Sequence, residues 1–134
     1  MQVKDSVVKL MENQTHGQGC KLGDKFCLIE SLFNNLPEKA LQEYKDVLID
    51  KNFETIMADQ DMVTCINELF NHNLNVAETS RNSYVHRNTL LYRIDKIQKM
   101  TGLNVRDFND AVTFKILMMV YKSFIKGNSF KKHN

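Results

Sequence analysis

Apolar residues along this chain recur every three or four positions and seldom alternate. Phe26, Ile29, Leu32, Phe33 and Leu36 share one helical face, and Ala40, Leu41, Tyr44, Val47 and Leu48 share another. Met62, Val63, Ile66, Leu69 and Phe70 repeat the spacing, as do Leu90, Ile94 and Ile97. Positions 3, 7, 8, 10 and 11 fit a short amphipathic helix over 3–11. The segment 13–23 holds three of the five glycines and reads as a flexible loop.

Boundary signals divide the rest. Pro37 suits the first turn of a helix over about 37–49, where its missing N–H is harmless. A short helix covers about 53–57. Asp61 is positioned to cap the next one, which ends near 71–73. Asn75 with Glu78 three residues on resembles a capping box and starts a helix to about residue 83. Tyr84 and Val85 supply a turn and its apolar plug. A longer helix over about 87–101 ends at Gly102, and Asp107 caps a last helix to about 126. The expected fold is all-α, a helix-turn-helix within a domain of about six or seven helices.

Composition narrows this further. At 134 residues, 43% apolar and 25% charged, the chain suits one globular domain able to bury a core without staples. No window approaches ~20 continuous apolar residues, so neither a membrane span nor a signal peptide is expected. Three cysteines at no framework spacing fit a reducing cytoplasm. The net charge of +2 conceals a division. Residues 1–71 carry 7 Lys against 12 acidic residues, and residues 72–134 carry 11 Lys or Arg against 4. A basic half of this kind suits a polyanionic partner.

That half contains the segment 75–102, read as two helices around a tight turn. The second helix begins with His86, Arg87, Asn88 and Thr89 before its apolar positions start. A helix with such a tip can enter a DNA major groove, where Arg and Asn reach guanine and adenine edges. Arg87, Asn88 and Thr89 are the base-reading candidates. Tyr92, Arg93 and Lys96, with Lys99 beyond them, are candidates for the phosphates, and His86 suits either a cap or a phosphate contact. Thr79 and Arg81 on the preceding helix are expected to cross the backbone.

The same residues carry a resemblance. Asn75-Val76, Glu78-Thr79, the run Val85-His86-Arg87-Asn88-Thr89-Leu90, Tyr92-Arg93 and Thr101-Gly102-Leu103 resemble the C-terminal helix-turn-helix of PucR/CdaR-type transcription regulators. Those regulators respond to purine-catabolic or sugar-diacid signals. The resemblance covers about a quarter of the chain strongly. It implies a bacterial regulator that binds double-stranded DNA sequence-specifically. Ser83 stands where relatives usually carry an aliphatic residue, and Leu91 where they often carry Arg. The sensing region usual in relatives is expected to be absent or on a missing segment.

Other chemistry finds little support. His16, Cys20 and Cys27 lack zinc-type pairing, and Cys65 with His72 seven residues on is a placement helices produce by chance. There is no glycine-rich phosphate loop, and Asp59 with Asp61 reads as a turn and a cap. Neither enzyme activity nor any metal or cofactor is expected. The crowded apolar positions of the last helix, from Phe108 to Ile125, suggest a homodimer. The expected organisation is a short helix and loop over 1–25 and a helical connecting segment over 26–60. The helix-turn-helix DNA-binding domain follows over 61–126, then a frayed tail over 127–134. Two competing readings are a nucleoid protein resembling the Fis family and a helical protein–protein interaction module.

Overall fold

The computed structural model describes residues 27–131, with the side chains of 28–125. The expected helix over 3–11, the loop over 13–23, and His16 and Cys20 lie outside the described residues. Seven helices follow one another: α1 Cys27–Asn34, α2 Glu38–Leu48, α3 Lys51–Ala58, α4 Gln60–Asn71, α5 Val76–Ser83, α6 Arg87–Thr101 and α7 Phe108–Lys131. No strand occurs among the described residues, as the periodicity predicts.

Local chemistry sets the boundaries. The side chain of Asp50 accepts from Phe53 N at 2.9 Å and starts α3 two residues earlier than expected. Asp59, not Asp61, caps α4: its Oδ1 accepts from Asp61 N at 3.0 Å and from Met62 N at 3.3 Å. The two aspartates are two residues apart and chemically equivalent. Asp59 wins because its extended backbone (φ −92°, ψ 105°) also closes α3, its N–H bonding to Ile56 O. A single residue therefore joins α3 to α4.

After α4 the chain reverses through Asn73 (φ 55°) and Leu74 (φ 66°), both left-handed. The Leu74 N–H returns to Leu69 O at 2.9 Å, and its side chain packs on the core. Asn75 then caps α5, its Oδ1 accepting from Glu78 N at 3.0 Å. Gly102, at φ 78°, ends α6 with its N–H on Gln98 O, where a Cβ would be strained. Asp107 caps α7, accepting from Asp110 N at 3.2 Å. The backbone of α7 is helical to Lys131, past Gly127.

One core runs from Ile49 to Val120. Phe53 of α3 sits at its centre, with its ring 5.2 Å from Phe114 and 6.1 Å from Tyr121. Ile66, Leu69, Leu90, Ile97, Val105 and Met118 complete it, each nearly inaccessible. A division at residues 60/61 would cut through this core, because Phe53 and Ile56 belong to it. The later part of α7 carries α1 and α2: Ser123 Oγ donates to Asn34 Oδ1 at 3.1 Å, and Lys45 Nζ lies 4.1 Å above the Phe124 ring. Much of the apolar excess on α7 is thus covered within the chain. Tyr44, Val47 and Leu48 of α2 remain exposed instead.

Candidate nucleic-acid interface

Helix α6 is anchored by one face and free on the other. Leu90, Ile94 and Ile97 are buried at helical spacing against α3, α4 and α5, so the axis of α6 is fixed by close-packed contacts. Arg87, Asn88 and Thr89, the first three helical residues, are all exposed. Tyr92 and Lys96 continue the exposed side, Tyr92 at 66%. Beyond them Lys99 is tied to Asp95 at 2.9 Å, which raises its pKa but offsets its charge. The cations left on this face are Arg87 and Lys96, with Arg81 exposed on α5.

His86 is the N-cap. Its Nδ1 accepts from Asn88 N at 3.1 Å, so in the neutral ring the proton resides on Nε2, leaving that nitrogen as an outward donor. The cap takes up one of the free N–H groups at the start of α6, whose aligned peptides give this end partial positive charge.

Two expected site residues lie elsewhere. Thr79, expected to cross the DNA backbone, is 1% exposed and its hydroxyl donates to Asn75 O at 2.7 Å. The reason is local: a threonine four residues after Asn75 returns its hydroxyl to the carbonyl of its own helix. Arg93 is half-buried and points back to α4, Nη1 donating to Cys65 Sγ at 2.8 Å. That bond, with Cys65, Asp61 and Asp59 adding electrostatic support, holds the guanidinium above its ordinary pKa against the opposing effect of burial.

Arg93 borders a cleft of about 240 Å³ between α4, α5 and α6 that Cys65, Glu68, Thr79 and Ser83 also line. Ser83, the departure from an aliphatic residue, uses its hydroxyl here, donating to Glu68 Oε2 at 3.3 Å. The pairing of α5 with α4 is therefore partly polar. Leu91, the other departure, packs against the core.

The turn carries features the sequence reading leaves out. Ser80 Oγ donates to Val85 O at 2.6 Å, pinning the turn to α5, and Val85 is half-buried against the core. Tyr84 between them is left-handed (φ 57°, ψ 27°) and 96% exposed. A small hydroxyl residue five positions before an apolar plug was the only sequence signal for this lock. Among the described residues there is no cluster of His, Cys, Asp or Glu able to hold a metal, and no helix long and apolar enough to cross a membrane.

Residues 62–120 match the PucR C-terminal helix-turn-helix domain. The purine catabolism regulatory protein of Bacillus subtilis is 21% identical over 94 residues, 70% of this chain and 18% of that protein. The carbohydrate diacid regulator of Escherichia coli is 35% identical over 51 residues, 38% of this chain and 13% of that protein. A leucine-rich protein of Streptococcus dysgalactiae subsp. equisimilis is 28% identical over 61 residues, 46% of this chain and 22% of that protein. The matched stretch thus spans under a quarter of each of these relatives. No solved structure matches the chain significantly. Spanning α4 to α7, the match takes in the cap, turn and exposed tip described above, and marks residues 62–120 as a helix-turn-helix domain of the PucR C-terminal type.

Proposed function

We propose that this chain is the DNA-binding part of a bacterial transcription regulator and acts by inserting α6 into the major groove of double-stranded DNA. The observation that carries the reading is the division of α6. A rigidly packed face of Leu90, Ile94 and Ile97 supports an exposed tip of Arg87, Asn88 and Thr89, all within the matched segment. Arg87 and Asn88 read base edges, Arg by a two-pronged bond to guanine and Asn to adenine, with Thr89 beside them. His86 through Nε2, Tyr92, Lys96 and Arg81 bind phosphates and fix register. Arg93, docked on Cys65, sets the angle of α6 against α4 rather than meeting DNA.

A homodimer belongs to this reading, since two-fold proteins match palindromic half-sites. Its support lies in the stripe of Tyr44, Val47 and Leu48, at 48%, 81% and 47% exposure. The cytoplasm is the compartment that fits a DNA ligand and a free Cys65 thiol.

Selection of duplexes from a random pool by the full chain tests the proposal. Enrichment of one motif is expected, arranged as two inverted half-sites if the dimer holds. Binding of all duplexes alike would instead mark an architectural DNA-binding protein. Absence of duplex binding at low salt would overturn the reading in favour of a protein partner for the basic face.

A further inference from the structure

The fold imposes a left-handed backbone at Tyr84 but does not explain why an exposed tyrosine occupies it. In the left-handed region its Cβ crowds the backbone, and glycine or asparagine is the unstrained choice. Its ring is 96% exposed, so folding removes almost none of its apolar surface from water. Nor is the turn loose. The Ser80–Val85 bond holds it on one side and the His86 cap on the other, so the positive φ is imposed by its surroundings. Strain that its neighbours over-determine, at a residue whose side chain packs on nothing, points to use of that side chain. Arg87 follows Tyr84 by three positions, a span of at most about 11 Å between Cα atoms, so the Tyr84 backbone lies within that distance of the tip of α6.

We propose that Tyr84 is a further DNA contact: its phenol O–H donates to a phosphate oxygen at the edge of the groove that α6 enters, with the ring lying along the adjoining sugar. This rests on the proposed reading of α6. The contact positions the helix and carries no base information. Because the phenol is neutral, it displaces no counterion, which separates it experimentally from Lys96.

The test compares the full chain with Tyr84→Phe and Tyr84→Asn. Binding to a random-sequence duplex is measured by fluorescence anisotropy from about 50 to about 200 mM salt, and each protein is melted. Tyr84→Phe keeps the shape and removes the donor; binding should weaken about tenfold at every salt concentration, with the salt slope unchanged. Tyr84→Asn tolerates the left-handed backbone but is too short to span to the same phosphate. It should bind at least as weakly while melting at the same or a higher temperature. Wild-type affinity in both variants overturns the assignment, and so does loss of melting temperature in step with loss of binding in Tyr84→Asn, which would make the tyrosine structural. If wild type binds the duplex and Arg87→Ala weakens it while the Tyr84 variants bind normally, the Tyr84 assignment alone falls. If wild type binds no duplex, the reading of α6 falls first.

Discussion

Replacing Phe53 by alanine tests whether α3 belongs to the same folding unit as the helix-turn-helix. Phe53 is 2% exposed and its ring faces Phe114 at 5.2 Å and Tyr121 at 6.1 Å. A buried phenylalanine removes roughly 150–200 Å² from water, and at ~25 cal/mol/Å² its loss is about 4–5 kcal/mol. That is an upper figure, since the unfolded chain already hides part of this surface. The cavity left between α3 and α7 adds to the loss, and measured Phe→Ala changes in cores fall at about 3–5 kcal/mol. For a domain of this size the melting temperature should drop by about 10–20 °C. Far-ultraviolet circular dichroism during urea and thermal unfolding measures both quantities. A single transition with that shift supports one cooperative core; a change under about 1 kcal/mol, or an α3 that melts separately, would refute the argument.

Three further expectations concern the caps and the interface. Asn75→Ala should cost about 1 kcal/mol, because Glu78 N loses its acceptor at the start of α5; an unchanged urea midpoint would remove the cap from the account. Arg87→Ala should relax preference at one base pair and weaken binding by about 1–3 kcal/mol, whereas Lys96→Ala should weaken all duplexes alike and lower the salt slope by about one. Identical sequence preferences in the two variants would contradict these roles. Arg93→Ala should lower stability by about 0.5–1.5 kcal/mol through the lost Cys65 contact and leave the salt slope intact. A slope lower by one unit would place its guanidinium on a phosphate instead.

The readable parts of this chain are those whose signals are local. Asn75, His86 and Gly102 each act on backbone groups within four residues, so the limits of α5 and α6 follow from the sequence. Burial is less local. Thr79 looks like any polar residue on a short helix until its bond to Asn75 O and the neighbouring α4 are known. Arg93 was partly foreseeable: at ~100° per residue it lies about 40° from Ile97 around α6, closer to the apolar stripe than to Lys96. Its charge still marks it for a phosphate, because no periodicity reveals that Cys65 of α4 lies opposite. Asp59 and Asp61 could not be separated by type, and only the end of α3 decides between them. Tyr84 hides for a different reason, since a left-handed tyrosine has no sequence signature and the aromatic invites a buried role.

The length of α7 has a mechanical meaning. Its 24 residues form a rod about 36 Å long. Phe114 and Met118 clamp one part of that rod into the core that Phe53 and the apolar face of α6 share, while α1 and α2 ride farther along it. From Met118 to Lys131 the free arm is about 20 Å, so a tilt of ten degrees about the clamped part would sweep the far end by roughly 3 Å. A force applied to α1 and α2 therefore has a lever to the core that seats α6, beside the short chain link through Ile49.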